Sequence, residues 1–410
     1  MVKIKPTEKQ LKFLDWEFGV FIHFGIRTFY EGHRDWDMKP MPLEGFNPTE
    51  LDCENWVLTA KEAGAKYAVF VCKHHDGFAN WPSLYTEYSV KNTPWKNGKG
   101  DVVREFVDAC RKHGICSGLY YSPAQFGSKD VISTDYDNYF INQISELLTN
   151  YGKIDYLWFD GCGSEDHKYD TDRIVKEIRR LQPDILIFNM WDPDTRWVGN
   201  EAGFAHVPNY NEVNSSFFSV QTEKTDSLGE KMFLPAECDM RMRLENWFYS
   251  DADEDTVKSV EELMGVYCHS VGRGANMLIN IGPDRRGLFP DKDAKRLIEF
   301  GNEVKNRYGK PFMTMCDVQV ENDNEIVINV ENALLRAVIL EEDLAEGEHI
   351  DSFEINGVPY SYGESRAVQM YVGKTVGHKR ICNFEPMRIK KLKIKTVSDA
   401  KTVLKKISLF

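Results

Sequence analysis

No run of 18 apolar residues occurs in this chain, so no membrane-spanning helix is expected. Cysteine is sparse and without pattern. There are nine, an odd number, and no two form a Cys-x-x-Cys pair. That excludes a disulfide framework and argues against a zinc site. Cys72, Cys116 and Cys268 sit in apolar or small-residue contexts and read as reduced core thiols. Positive charge is short as well: 51 Lys and Arg stand against 64 Asp and Glu, a net charge of −13. Such a balance disfavours nucleic acid or an anionic membrane as a partner. The opening Met1-Val2-Lys3-Ile4-Lys5-Pro6 lacks the apolar stretch of a signal peptide, and a cytoplasmic location is expected. Internal repeats and low-complexity segments are absent too.

What is present is a long, core-rich chain. Its 410 residues are 42% hydrophobic, too many for most single domains. Strand-like runs recur at 18–24, 67–72, 115–121, 154–160, 185–189, 233–237 and 277–281. Helical patterns at 51–63, 101–113, 136–151, 171–181, 256–271 and 291–308 separate most of them. The first of these follows Asn47-Pro48-Thr49, a helix-start signal, and the second ends at Gly114. Strands alternating with helices at this spacing predict parallel βαβ units, here a somewhat irregular (β/α)₈ barrel over 1–312. After Gly309-Lys310-Pro311 the runs become short and mostly alternating. They predict an antiparallel β-sandwich over 313–410, read as a packing domain that braces the barrel.

In a barrel the strand ends meet at one rim, where active sites sit. The most informative segment is Ile154-Asp155-Tyr156-Leu157-Trp158-Phe159-Asp160-Gly161, an apolar strand that ends abruptly in a carboxylate. Around it the rim would collect His23, the run Lys73-His74-His75-Asp76-Gly77-Phe78, Tyr120 and Tyr121, and Asn189. A loop beyond carries Arg196-Trp197-Val198-Gly199-Asn200-Glu201, and Glu237 closes strand six. Tyr120 and Tyr121 alternate, so one faces inward and one outward. This donor-rich, aromatic set suits a polyhydroxylated substrate.

Two chemistries compete for these residues. One is glycosidic hydrolysis by paired carboxylates. The other is metal-assisted hydrolysis with His23, His74, His75 and an Asp as ligands. Neighbouring strand residues point to opposite sides, which disfavours His74 and His75 sharing one ion. No metal and no cofactor are expected. A sugar-binding protein without catalysis is the third reading, disfavoured by Asp160 standing with two rim glutamates.

Five segments resemble the family 29 glycoside hydrolases, the α-L-fucosidases, and come in family order. They are residues 18–25, 73–78 and 118–122, Leu157-Trp158-Phe159-Asp160-Gly161, and the stretch from Gly272 through Asn280 to Pro283. The resemblance implies a fucosylated oligosaccharide or glycoconjugate as substrate and retaining hydrolysis through a covalent intermediate. It assigns the nucleophile to Asp160 and fucose contacts to His23, His74, His75, Tyr120 and Trp158. The family's Ser-Glu-Trp-Tyr segment is absent. Arg34-Asp35-Trp36 stands in its place, making Asp35 and Trp36 candidate contacts. The Arg-Trp-Val-Gly-Asn-Glu segment resembles the subfamily selective for α-1,3/1,4 linkages on branched, Lewis-type glycans, and makes Glu201 the expected acid/base. Glu237 is the second candidate, otherwise a binding residue. Arg241 and Trp247 follow as substrate contacts, in a stretch one residue longer than the subfamily's usual Arg-Pro-Gly-Trp-Phe-Tyr.

Overall fold

The structure is a computed structural model that describes residues 3–32, 39–124, 136–164, 167–219, 225–321, 325–360 and 366–410. Helix α1 (Glu8–Trp16) opens it, and the strands that follow are β1 (Phe18–Ile22), β2 (Tyr67–Lys73), β3 (Cys116–Tyr121), β4 (Tyr156–Phe159) and β5 (Leu186–Phe188). Next come the two-residue β6 (Arg196–Trp197), an antiparallel hairpin of β7 (Glu212–Phe217) and β8 (Thr225–Phe233), then β9 (Ala236–Arg241) and β10 (Asn276–Asn280). All but the hairpin form one parallel sheet in the order β5-β4-β3-β2-β1-β10-β9-β6. A lone parallel bridge from Phe188 to Thr195 brings β5 beside β6 and nearly closes the barrel.

Helices α2 (Cys53–Ala63), α3 (Val102–His113), α4 (Tyr136–Asn150), α5 (Thr171–Leu181), α6 (Val260–His269) and α7 (Asp291–Tyr308) surround it. Local chemistry fixes their ends. Asp101 caps α3 by accepting from the Arg104 amide at 2.9 Å, and Gly114 ends it at φ 68°, where a side chain would be strained. Ser259 and Glu262 form a reciprocal capping box on α6. No helix among the described residues is long and apolar enough to cross a membrane.

Alternation divides the barrel strands between two cores. On β1, Phe18, Val20 and Ile22 pack outward with the helices, whereas Phe21 joins Tyr67, Val69, Tyr120, Tyr156 and Trp158 inside. Interior space is tight enough that a Cβ on Gly19 would lie 2.5 Å from the Tyr67 ring. Helix α1 closes the N-terminal mouth: Phe13 packs 5.4 Å from the Tyr156 ring, and Asn276 donates to the Phe13 carbonyl. The opposite mouth, at the C-terminal strand ends, is left for a site.

Six antiparallel strands follow: β11 (Met313–Val320), β12 (Glu325–Glu342), β13 (Ile350–Pro359), β14 (Val368–Gly373), β15 (Arg380–Ser398) and β16 (Thr402–Leu409). Their order is β11-β16-β12-β15-β13-β14. The long β12 and β15 pair with each other along both halves, with a register shift between Leu335 and Ala337. The later half of β12 pairs with β16, and the later half of β15 pairs with β13. Each long strand thus serves both layers of the sandwich. The sandwich docks on the barrel through backbone, with the Ile381 amide on the Gly272 carbonyl at 3.0 Å. Side chains add to it: Tyr308 donates to Asn383 at 3.0 Å, and Lys379 pairs with Glu17.

Three expectations about the strands need correction. Phe233 ends the hairpin rather than beginning a barrel strand. The barrel strand starts past Pro235 and runs on to Arg241, so Glu237 is its second residue, not its last. Arg196–Trp197, expected in a loop, is a barrel strand.

Candidate active site

The C-terminal mouth holds a cavity of about 500 Å³, lined by residues at or beyond the ends of every barrel strand except β10. At its floor is Asp160, one residue past β4. Its carboxylate accepts from Tyr120 Oη at 2.8 Å and from the Cys162 amide at 2.9 Å, and His75 Nε2 lies 3.4 Å away. Burial pushes the Asp160 pKa up. The charge and hydrogen bond of His75, the amide and the phenol more than offset this, leaving it below the ordinary aspartate value. Burial and the neighbouring carboxylate hold Tyr120 well above the usual phenol range, so it stays a donor. Gly161 matters for space: a Cβ there would lie 2.3 Å from the Phe218 carbonyl oxygen, whose loop lines the cavity.

His23, one residue past β1, offers the cavity a hydrogen-bond acceptor. Its Nδ1 donates to Asn280 Oδ1 at 2.7 Å, while the Asn280 amide nitrogen is committed to the Trp247 carbonyl at 2.7 Å. Burial lowers the His23 pKa to about 3 despite the Asn280 bond and the Asp160 charge. The neutral ring therefore offers a bare Nε2 lone pair. His74 and His75 both line the cavity, with ring centroids 4.3 Å apart. Strand alternation does not separate them, because β2 ends at Lys73 and both lie beyond it. Tyr120 points in toward Asp160, whereas Tyr121 turns out to Gln143 on α4.

Trp158 lines the cavity with its ring only. Its Nε1 donates to Glu237 Oε1 at 2.8 Å. Glu237 itself lies beneath the cavity, fully buried, and also takes hydrogen bonds from Tyr67 at 2.6 Å and Tyr156 at 3.4 Å. Burial raises its pKa to about 7 against those three donors. It does not line the cavity, so neither the acid/base nor a direct substrate contact fits its position. The reason is the register of β9, which sets Glu237 a layer deeper than a strand end.

Glu201 lines the cavity from the turn after β6, with its Oε2 3.9 Å from Arg241 Nη1. Arg241, at the end of β9, also lies 5.4 Å over the Trp247 ring. Both Arg241 and Trp247 line the cavity. Asp35 and Trp36 lie outside the described residues. Among those described, no group of three or more His, Cys, Asp or Glu is arranged to hold a metal ion.

The α-L-fucosidase family profile matches residues 41–309. The chain belongs to the α-L-fucosidase family of glycoside hydrolases. α-L-Fucosidase 1 of Arabidopsis thaliana is 34% identical to it across 92% of this chain and 81% of that one. The crystal structure of SpGH29 matches with a TM-score of 0.89 at 30% identity, covering 100% of this chain and 99% of that one. A glycoside hydrolase 29 family member from an unknown rumen bacterium matches at 0.85 and 32% identity, over 98% of this chain and 77% of that one.

This family member carries a cavity carboxyl that the sequence reading missed. Asp239 is buried, lines the cavity and accepts from Trp197 Nε1 at 2.6 Å. Burial first, then the Glu201 carboxyl, raise its pKa well above the aspartate range; the Trp197 bond opposes this and Glu237 adds to it. Its signal was the period of two along β9: with Glu237 facing inward, Asp239 and Arg241 must do so too. Phe218, Ser219, Glu245 and Asn246 also line the site and were not anticipated. A second concavity of about 660 Å³ adjoins it, sharing Glu201 and Arg241 and bordered by Phe204, Lys258 and His269.

Proposed function

We propose that the protein is an exo-acting α-L-fucosidase that hydrolyses terminal fucose with retention, preferring α-1,3/1,4 linkages on branched, Lewis-type glycans. The observation that carries this reading is the Asp160 carboxylate, held ionised on the cavity floor by Tyr120, His75 and the Cys162 amide, with Glu201 lining the same cavity. Asp160 attacks the anomeric carbon as the glycosidic oxygen departs with the Glu201 proton. Water then attacks the fucosyl-Asp160 ester, losing its proton to Glu201. His23 Nε2 accepts from a sugar hydroxyl, and the Trp158 ring gives an apolar wall. The linkage preference is supported by the Arg196–Glu201 segment. The second concavity beyond Glu201 adds room for the two branches of an aglycone.

Product analysis tests the two levels separately. A branched Lewis-type trisaccharide should lose fucose at least tenfold faster than a 2′-linked fucoside. Equal cleavage overturns the linkage preference and leaves the fucosidase reading standing. Asp160→Ala should abolish hydrolysis of both. Glu201→Ala with an activated aryl fucoside should be rescued by azide, yielding the β-fucosyl azide; no rescue removes Glu201 as acid/base.

A further inference from the structure

The turn that carries Glu201 is tied directly to β9. A lone antiparallel bridge joins Ala202 to Met240, which sets residue 201 across from residue 241 and diagonal to residue 239. Met240 packs outward into the helix-facing core. Glu201, Asp239 and Arg241 accordingly all turn to the cavity, which each of them lines. The Glu201 carboxylate therefore stands between two opposed influences. Arg241 is 3.9 Å away, and the diagonal position on the same strand face holds a carboxyl only 4% exposed, anchored by the Trp197 indole. Glu237 lies one step deeper on the same strand. Lys258 sits behind, bonded to the Arg241 carbonyl, and Asp160, His75 and His23 face the group across the cavity.

We infer that Asp239 is a positioning residue for proton donation: with Glu201 it forms a carboxyl pair that keeps one proton through neutral pH, and the pair sets the alkaline limit of activity. The inference rests on Glu201 acting as the acid/base. Ionising both carboxyls on one wall of the cavity costs mutual repulsion, so the last proton leaves late. When that proton passes to the departing oxygen, the C1–O bond breaks and the Asp160–C1 bond forms. The pair is then doubly charged, with Arg241 beside it, and it recovers a proton from the water that cleaves the ester. Burial first and the Glu201 charge second hold the Asp239 carboxyl well above the usual aspartate range, the direction such a pair requires.

The test uses the full chain and two fucosides. One is a 2,4-dinitrophenyl fucoside, whose leaving group needs no proton, and the other an oligosaccharide, whose leaving group does. In Asp239→Asn the alkaline limb of kcat/KM on the oligosaccharide should move about one pH unit lower, with rates at pH 8 down about tenfold. The aryl substrate should change by less than about twofold. An unmoved limb, or equal losses on both substrates, overturns the inference. Trp197→Phe removes the donor but keeps the charge. It should move the limb to higher pH, and a limb that stays or falls overturns the inference as well. Glu201→Gln is the separate control. A wild-type rate on the oligosaccharide would remove the acid/base reading itself, and the pair with it.

Discussion

His75 holds Asp160 from the far side of its ring: Nε2 lies 3.4 Å from Asp160 Oδ2, while Nδ1 lies 2.6 Å from Ser122 Oγ. The Ser122 hydroxyl gives its one hydrogen to the Ala124 carbonyl at 3.1 Å. It can therefore only accept from His75, so Nδ1 carries a hydrogen. Ser122 thereby orients the His75 ring so that Nε2 faces Asp160.

His75→Gln should move the acid limb of kcat/KM upward. Asp160 lies below the ordinary aspartate value because His75 and its other donors outweigh burial. With the ring gone, burial remains and the carboxyl protonates at higher pH. Rates near neutrality should fall by about tenfold or more. A pH profile on an aryl fucoside, taken where circular dichroism shows the fold intact, checks this. An acid limb that stays in place would mean that the Tyr120 and Cys162 bonds suffice.

Glu237 predicts a stability effect of opposite sign. Its folded pKa of about 7 lies above the unfolded glutamate value, so the folded state retains a proton that the unfolded state has lost. Stability is full below the unfolded value and declines as pH rises through about 7. Glu237→Gln removes this decline. Urea unfolding should show the variant gaining on the wild type by about 1–3 kcal/mol between pH 5 and pH 8. A constant difference across that range would sink the assignment.

Asp160 was legible because β4 is an unbroken apolar run that stops at a carboxylate, and the rim residues of the neighbouring strands gave that carboxylate a pocket. Asp239 was not. The apolar stretch before Glu237 invites a strand from Phe233, but it is divided between a hairpin and the barrel by Pro235. The alternating Glu237, Asp239 and Arg241 face inward, where charge does not look like a strand interior. The two-residue β6 leaves no periodicity to detect. The six remaining barrel strands and the sandwich were visible in outline because their apolar runs are longer or strictly alternating.

Two glycines in helices should respond oppositely to alanine. A Cβ on Gly301 of α7 would sit 2.0 Å from the Ala63 carbonyl oxygen of α2, which must then move. Gly301→Ala should cost about 1–3 kcal/mol. Nothing lies within 4 Å of a Cβ on Gly265 of α6, and Gly265→Ala should stabilise by about 0.5–1 kcal/mol. Denaturant midpoints of the two variants should bracket the wild type; a neutral Gly301→Ala would show that α7 can slide.

Asp253 links a buried ion network to the cavity wall. Its Oδ1 accepts from Arg243 Nη1 at 3.2 Å, and its Oδ2 accepts from the Asn246 amide and side chain at 3.0 and 3.1 Å. Arg243 also makes a two-pronged pair with Asp293 at 2.9 Å on each prong. Asp253, anchored by Arg243, therefore ties down the stretch that brings Glu245, Asn246 and Trp247 to the cavity wall. Asp253→Ala removes three acceptor bonds in a buried place and should cost about 3 kcal/mol in urea unfolding. It should also raise KM several-fold more than it lowers kcat, since Asp160 and Glu201, the proposed reacting carboxyls, stand on other elements. Asp253→Asn keeps an acceptor oxygen and should lose less on both measures. A variant that loses stability with KM unchanged would mean that Trp247 is held instead through the Asn280 bond to its carbonyl.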